Sequence, residues 1–201
     1  MNNNFAQSQT KENLMRAFAG ESQARNRYTF AAGIAHVQEM PVVKEVFLFT
    51  AEQEKEHAEV FYNLLSQFSG ENIKIDGTYP VNISDNILEH LRWAEHNEMQ
   101  EYSVDYANFA KIAGEEGFRD VAAKFALIAE IEKTHSERFK ALAQLLEQGT
   151  MYTAQQDGVW MCTNCGHIYS GTKVPEKCPV CQHAKGYFLK AEYTCYNFAK
   201  I

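Results

Sequence analysis

The sequence has 201 residues, of which 45% are apolar, enough for one large domain or for a medium domain joined to a small one. This apolar content argues against general disorder. Lys and Arg number 19 against 26 Asp and Glu, so the net charge is −7. Such a balance offers no broad cationic surface for nucleic acid or anionic lipid, and it disfavours nucleic-acid binding as the main function.

The first residues and the cysteines indicate a compartment. No basic region followed by an apolar run opens the sequence, so no secretory signal is predicted. Apolar stretches such as residues 46–49 are too short to cross a bilayer. Five cysteines in such a chain favour metal or redox chemistry over a disulfide framework. We therefore expect a cytoplasmic protein without a membrane partner.

The composition changes near Gly149, which predicts two domains. No cysteine precedes this glycine, and long helix-period patterns fill that part of the chain. All five cysteines, clustered turn residues and short alternating runs follow it. We predict a helical domain at residues 1–149, a linker at 150–157 and a small metal-binding domain of strands and loops at 158–201.

Four long helices are predicted in the first domain from apolar periodicity and from helix-end signals. Their expected limits are Thr10 to His36, a start after Pro41, Ser84 to Gly114, and a start after Gly117 that ends before Gly149. Ser84 is expected to be the N-terminal cap of the third helix. Residues 69–81 contain two glycines and a proline and are predicted to form a long crossover connection. Four long helices with one long crossover are typical of a ferritin-like bundle.

The second and fourth predicted helices repeat one pattern at an offset of 78 residues. Residues 54–61, EKEHAEVF, align with residues 132–139, EKTHSERF, and five of the eight positions are identical. The same offset places Phe47 on Phe125 and Tyr28 on Tyr106. The helical domain is therefore predicted to contain two copies of one helical hairpin.

Charged side chains interrupt the apolar faces of these helices. Glu54 and His57, and again Glu132 and His135, lie on apolar stripes, and positions i and i+3 of a helix share a face. Glu21 interrupts the first helix in the same way. A single Glu-x-x-His is common on solvated helix faces, but buried carboxylates require protons, cations or metal. The repeated pattern predicts a di-iron or di-manganese carboxylate site.

The third helix offers three candidate ligands, Glu95, Glu98 and Glu101, spaced by three residues. The offset of 78 from Glu21 falls on Met99, so the third helix has slipped by about one residue relative to the first. An extra residue in a helical turn, a π-bulge, is frequent in functional helices. Periodicity leaves two pairs open, Glu95 with Glu98 and Glu98 with Glu101.

The second domain contains two Cys-x-x-Cys knuckles with 12 residues between the second and third cysteine. Their cysteines are Cys162, Cys165, Cys178 and Cys181. Two knuckles supply four thiolates in a tetrahedron, which suits Zn²⁺ or iron, and the spacing alone favours zinc. Cys195 is left over, and we expect it to be a small buried residue rather than a reactive thiol.

With both domains considered, the sequence resembles the rubrerythrins. That family joins an N-terminal ferritin-like di-iron bundle to a C-terminal rubredoxin-like Fe(Cys)₄ domain, in the order found here. The resemblance extends over nearly all of residues 10–195 and rests on two metal signatures that rarely occur together. It implies a mainly α fold with a small C-terminal β/loop metal domain. It also implies a di-iron centre in the bundle and one iron, rather than zinc, in the four-cysteine site.

The resemblance also implies a set of ligands by position. The di-iron ligands would be Glu21, Glu54, His57, Glu98, Glu101, Glu132 and His135, and the mononuclear iron ligands would be Cys162, Cys165, Cys178 and Cys181. The family has Glu-x-x-Glu with a tyrosine five residues later, which matches Glu98, Glu101 and Tyr106 and leaves Glu95 as a surface residue.

Two further roles follow from the resemblance. In the family, one iron moves between a glutamate and a histidine as its oxidation state changes, and by position these ligands are Glu101 and His57. Tyr28 and Tyr106 would support the ligand carboxylates by hydrogen bonds.

The resemblance implies a non-haem peroxidase that reduces hydrogen peroxide to water in oxidative-stress defence. Electrons would pass through the rubredoxin-like iron from an external donor such as a rubredoxin or an NAD(P)H-dependent reductase. A homodimer or larger homo-oligomer is expected, and no nucleic-acid partner. The second hypothesis is an iron-storage or ferroxidase bundle with a structural zinc ribbon. Less favoured are a sensor with a zinc ribbon and a di-manganese catalase, since a catalase would leave the cysteines unexplained.

Overall fold

The computed structural model describes residues 4–194, so Cys195 and its expected burial lie outside the described residues. Within this range the chain forms five α-helices, one π-helical turn and a three-stranded sheet. The helices are α1 (Gln9–Val37), α2 (Pro41–Asn63), α3 (Ile87–Gln100), α4 (Tyr106–Glu115) and α5 (Arg119–Glu147). The strands are β1 (Thr153–Cys162), β2 (Ile168–Lys173) and β3 (Phe188–Lys190).

Local signals place the helix starts. Ser8 caps α1 by accepting a hydrogen bond from the Lys11 backbone N–H at 3.1 Å, and Pro41 occupies the first turn of α2. The expectation that Ser84 caps the third helix is wrong. That helix begins at Ile87, and its cap is Asn86, whose side chain accepts from the Leu88 N–H at 3.0 Å.

The third predicted helix is interrupted by the π-helical turn Glu101–Asp105, which separates α3 from α4. Tyr28 follows Glu21 by seven residues, whereas Tyr106 follows Glu98 by eight. The π turn lies between Glu98 and Tyr106 and accommodates the extra residue, as the slipped offset predicted.

The bundle is apolar at both ends and polar in the middle. One cluster of buried side chains is built around Tyr28, Phe47 and Phe139, and a second around Phe61 and Phe125. Aromatic rings pack within each cluster at centroid separations near 5 Å, for example 5.0 Å between Phe47 and Phe139 and between Phe61 and Phe125. These clusters enclose the region where the charged side chains of the repeat meet. The predicted ferritin-like bundle is confirmed.

The C-terminal module is an antiparallel sheet in the order β2-β1-β3, with Trp160 and Phe188 in its own small core. It packs against the turn between α1 and α2. Leu189 joins a core cluster of the bundle, and a Cβ placed on Gly186 would lie 2.2 Å from the Glu39 carbonyl oxygen. Strand β1 begins at Thr153, inside the segment predicted as a linker, and the domain limits given above stay predictions.

No helix in the described part of the chain is both long and apolar enough to cross a membrane.

Candidate metal centres

Six of the seven predicted bundle ligands converge between α1, α2, α3 and α5. They form two groups, and within each group the ligand atoms all lie within 4.8 Å of one another. The groups are Glu21, Glu54, His57 and Glu132, and Glu54, Glu98, Glu132 and His135. Glu54 and Glu132 belong to both groups, so each would contribute to holding both metal ions.

The Nδ1 atoms of both histidines lie close to carboxylate oxygens of the cluster, as the ligands of a shared metal ion would. His57 Nδ1 lies 3.1 Å from Glu54 Oε2 and 3.0 Å from Glu132 Oε1. His135 Nδ1 lies 3.0 Å from Glu54 Oε1, 2.9 Å from Glu132 Oε2 and 3.5 Å from Glu98 Oε2. The two imidazole rings stack with their centroids 5.7 Å apart. The arrangement is therefore nearly symmetric about the two shared glutamates.

Unpartnered buried atoms show that this cluster fits metal ions. Carboxylate oxygens of all four cluster glutamates and the Nδ1 of one histidine are buried without a hydrogen-bond partner: Glu21 Oε2, Glu54 Oε1, Glu98 Oε2, both oxygens of Glu132, and His135 Nδ1. Burying unpaired acceptors is costly, and two divalent cations would satisfy their lone pairs and balance four carboxylate charges. Imidazole and carboxylate donors suit iron or manganese.

Burial and mutual contacts shift the pKa values of the cluster residues. Burial raises the pKa of Glu98 to about 8, with the charge of Glu54 adding to the effect. Burial also opposes ionisation of Glu54, but the close imidazoles of His135 and His57 outweigh it and lower the Glu54 pKa to about 2. Against their own desolvation, carboxylate partners raise the pKa of His57 to about 9 and of His135 to about 12. Metal binding must therefore displace protons.

Glu101, the seventh predicted ligand, is not a member of either four-residue group. It is half-buried on the π turn, and burial together with the charge of Glu98 raises its pKa. Its side chain lines a cavity of about 610 Å³ between α1, the crossover segment and the π turn. Its assignment as a metal ligand stays a prediction. Glu95, expected at the surface, forms an ion pair with Arg92 and is not part of either group.

The two predicted supporting tyrosines are buried, and each contacts a cluster glutamate. Tyr28 donates a hydrogen bond to Glu98, and Tyr106 donates one to Glu21. Burial and the neighbouring carboxylates raise the pKa of both phenols, which keeps the donor protons in place.

Sequence reasoning did not single out the polar residues behind His135. Gln53 Oε1 lies 3.1 Å from His135 Nε2, and Arg138 Nη1 donates to the same oxygen at 3.1 Å. Arg138 also donates to Thr50 Oγ1 at 2.9 Å. A signal was present in the repeat, because each of these three polar residues corresponds to an apolar residue in the other copy.

The four predicted cysteines form the second centre. Sγ–Sγ distances of 3.7 Å join Cys162 to Cys181 and Cys165 to Cys178, and all four sulfurs lie within 4.8 Å of one another. A tetrahedron with metal–sulfur bonds of about 2.3 Å has edges of about 3.8 Å, so the sulfurs fit one metal ion.

The backbone of both knuckles shapes this site. The knuckle turns end in left-handed residues, Gly166 at φ +77° and Gln182 at φ +62°. The backbone N–H of His183 lowers the pKa of Cys181 to about 6, whereas burial raises that of Cys162 to about 12. Cys165 is exposed, so one ligand of the centre reaches the protein surface.

A bundle that presents four glutamates and two histidines in this way defines the class of ferritin-like di-iron carboxylate proteins. Comparison with family models refines this class. Residues 12–143 match the model described as Rubrerythrin, and residues 160–189 match that described as Rubrerythrin, rubredoxin-like domain. The chain belongs to the rubrerythrin family.

Individual relatives agree over almost the whole chain. It is 43% identical to a rubrerythrin from Clostridium perfringens, covering 90% of this chain and 93% of that protein. It is 40% identical to one from Porphyromonas gingivalis, covering 96% of each. Among solved structures, nigerythrin in its mixed-valence state superimposes with a TM-score of 0.61 at 29% identity, covering 92% of this chain and 90% of that chain.

A bacterioferritin from Desulfovibrio desulfuricans shares the fold, with a TM-score of 0.62 at 20% identity, covering 70% of this chain and 81% of that chain. Together, the geometry and the family assign a ferritin-like di-iron site and a rubredoxin-like iron site of four cysteines to this protein. Its family is that of di-iron oxidoreductases associated with oxidative stress.

Proposed function

We propose that this protein is a non-haem peroxidase that reduces hydrogen peroxide to water. The observation that carries the proposal is the pairing of two different metal sites in one chain. The bundle cluster would hold two ions, with Glu54 and Glu132 in both ligand groups, and the knuckles would hold one more. An iron-storage shell does not require an Fe(Cys)₄ centre, whereas a reductase needs a means of renewing its electrons.

The proposed reaction takes one peroxide, two protons and two electrons to two molecules of water, with cleavage of the O–O bond. When bound, the iron pair supplies the two electrons, one from each ion. The cavity beside Glu101 provides an entrance for peroxide, with the amides of Asn97 and Gln100 in its wall. The Glu101 carboxyl group borders both this cavity and the cluster, and its raised pKa favours holding a proton there.

The position of the C-terminal module supports a relay role and bears on its route. Its exposed Cys165 is accessible to an external donor such as a rubredoxin or an NAD(P)H-dependent reductase. The module contacts the bundle near Pro41, whereas Glu54 lies about 20 Å farther along α2 at 1.5 Å per residue. This separation favours electron transfer between subunits of a homo-oligomer, in a protein we expect to function in the cytoplasm.

The proposal is tested by single-turnover kinetics. The iron-loaded protein is reduced anaerobically, freed of reductant and mixed with one equivalent of hydrogen peroxide in a stopped-flow spectrometer. We expect one peroxide to be consumed per two electrons, together with rapid return of the ferric Fe(Cys)₄ absorption. Rapid oxidation by dioxygen of added Fe²⁺, with no consumption of peroxide, would instead indicate a ferroxidase.

The electron route is tested by mixing two inactive variants, Cys178→Ser and Glu98→Ala, under conditions that exchange subunits. Recovery of donor-dependent peroxide reduction in the mixture would support transfer between subunits. Unrecovered activity, with exchange demonstrated by mass-tagged subunits, would contradict it.

A further inference from the structure

The ring of His135 is held from behind by polar side chains of α2 and α5. Its Nε2 lies 3.1 Å from Gln53 Oε1, which also receives a hydrogen bond from Arg138. A second bond, from Arg138 to Thr50 Oγ1, fixes the guanidinium across the gap between the two helices. Arg138 forms no ion pair with a carboxylate within residues 4–194, so its charge is directed at these two neutral acceptors.

The donor and acceptor roles in this chain of hydrogen bonds follow from the arginine. A guanidinium only donates, so the Gln53 atom that faces Arg138 must be the carbonyl oxygen. The same oxygen faces His135 Nε2, which must therefore carry the proton and donate it. His135 is thus held with Nδ1 directed into the cluster, where it lies 2.9 Å from Glu132 Oε2. A hydrogen-bond acceptor on the far nitrogen is the usual means of orienting a metal-binding histidine.

The other histidine has no such support. The contacts of His57 to the cluster are made through Nδ1, and its Nε2 has no hydrogen bond to any residue in the described range. The repeat offset of 78 explains the difference, because it relates the three supporting residues to apolar ones. Thr50, Gln53 and Arg138 correspond to Ile128, Ile131 and Val60, respectively. The two halves of the bundle therefore share their ligands but not the groups that hold them.

We propose that Gln53, fixed by Arg138, is a positioning residue that keeps His135 bound to its metal, while Ile131 at the equivalent place leaves His57 free to dissociate. This inference rests on the proposed function, since it concerns which side of the metal pair exchanges its ligand. Release of His135 would require its ring to break the hydrogen bond to Gln53. Release of His57 breaks no hydrogen bond at Nε2. The polar support thus decides which histidine is exchanged for Glu101.

Two reciprocal substitutions test the proposal. Gln53→Ile gives the His135 side the residue that the repeat places behind His57, at similar volume. Ile131→Gln gives His57 the missing acceptor, at a position whose side chain is 37% exposed and tolerates a polar group. Gln53→Glu retains an acceptor for both His135 and Arg138, and serves as the conservative rescue.

The first readout is independent of iron and of peroxide. In the full chain labelled with ¹⁵N-histidine and freed of bundle metal, we expect a slowly exchanging Nε2–H signal from His135. The signal should be lost in Gln53→Ile and retained in Gln53→Glu, and a second such signal should appear in Ile131→Gln. A signal that persists unchanged in Gln53→Ile would overturn the proposal, and helical circular dichroism verifies that each variant is folded.

The second readout is ligation. Anaerobic titration with Fe²⁺, with the four-cysteine site already filled, should show about 10- to 100-fold weaker binding of one of the two bundle ions in Gln53→Ile, and rescue in Gln53→Glu. Crystal structures of the oxidised proteins should show His135 bound and His57 released in the wild type, and His57 retained in Ile131→Gln. Release of His57 in Ile131→Gln despite the new hydrogen bond would contradict the inference. Because neither readout uses peroxide, loss of the proposed peroxidase activity and loss of this inference are separate results.

Discussion

Tyr106 donates a hydrogen bond to Glu21 from the opposite helical hairpin, across a sequence separation of 85 residues. Tyr28 makes the matching bond to Glu98 in the other direction. Each hairpin therefore supplies a glutamate to the cluster and a phenol that holds the other hairpin's glutamate. This reciprocal contact ties the geometry of the metal site to the docking of the two hairpins.

Replacing Tyr106 by Phe should weaken both the fold and the site. The change leaves a buried oxygen of Glu21 without its donor, which costs about 1–3 kcal/mol. We expect a lower melting temperature of the metal-free protein and weaker retention of bundle iron, measured by calorimetry and by metal analysis after dialysis against a chelator. Tyr62→Phe, at a phenol that is 56% exposed, is the matched control. Equal behaviour of the two variants would contradict a supporting role for Tyr106.

The repeat made much of the bundle predictable from sequence. Apolar periodicity, together with helix-end signals, located the start of each long helix to within a few residues. The cap of α3 was misplaced because Ser84 and Asn86 are both good capping residues and only their backbone geometry separates them. The π turn was detectable because it shifted one copy of the repeat by a residue.

Other parts of the site could not be derived in this way. The repeat marks Gln53 and Arg138 as polar where their counterparts are apolar, but this difference does not show that the two side chains meet each other behind His135. Their roles depend on how α2 and α5 face each other across the cluster. The place of Glu101, beside the cluster but in neither ligand group, likewise depends on the backbone of the π turn.

Glu98 and Glu95 should differ sharply when each is replaced by alanine. Glu98 is buried in the cluster, and its removal takes away a ligand atom and the acceptor of Tyr28. Glu95 pairs with Arg92 outside the cluster, and such a partly exposed pair contributes about 1 kcal/mol. We expect Glu98→Ala to lose bundle iron and Glu95→Ala to retain it, as measured by iron content per chain. Equal iron loss from both variants would show that the assignment of α3 is wrong.

Cys178→Ser should separate the two metal sites functionally. Its thiolate is one of four around the knuckle centre, whereas the bundle cluster lies on other elements and should load independently. We expect donor-dependent turnover to be lost while a chemically reduced bundle still consumes one equivalent of peroxide. Val180→Ser, an exposed non-ligand position of the same knuckle, is the control and should behave as the wild type. Loss of the single turnover in Cys178→Ser would show that the bundle cannot reduce peroxide by itself.

The metal-free bundle should become less stable as the pH rises from about 6 to about 9. The pKa of Glu98 is raised by burial to about 8. Its contribution to stability is therefore complete below the unfolded value of 4.5 and is lost as the pH rises through about 8. The pKa of His57 is raised to about 9 by its carboxylate partners, against desolvation, so its stabilisation is complete below 6.5 and lost through about 9. Bound metal replaces these protons, and the loaded protein should lack this decline.

Thermal unfolding followed by circular dichroism, with and without metal, checks the prediction of a pH-dependent stability. Glu98→Gln, a neutral isostere, should flatten the metal-free profile, and a metal-free melting temperature that rises over this pH range would contradict the argument.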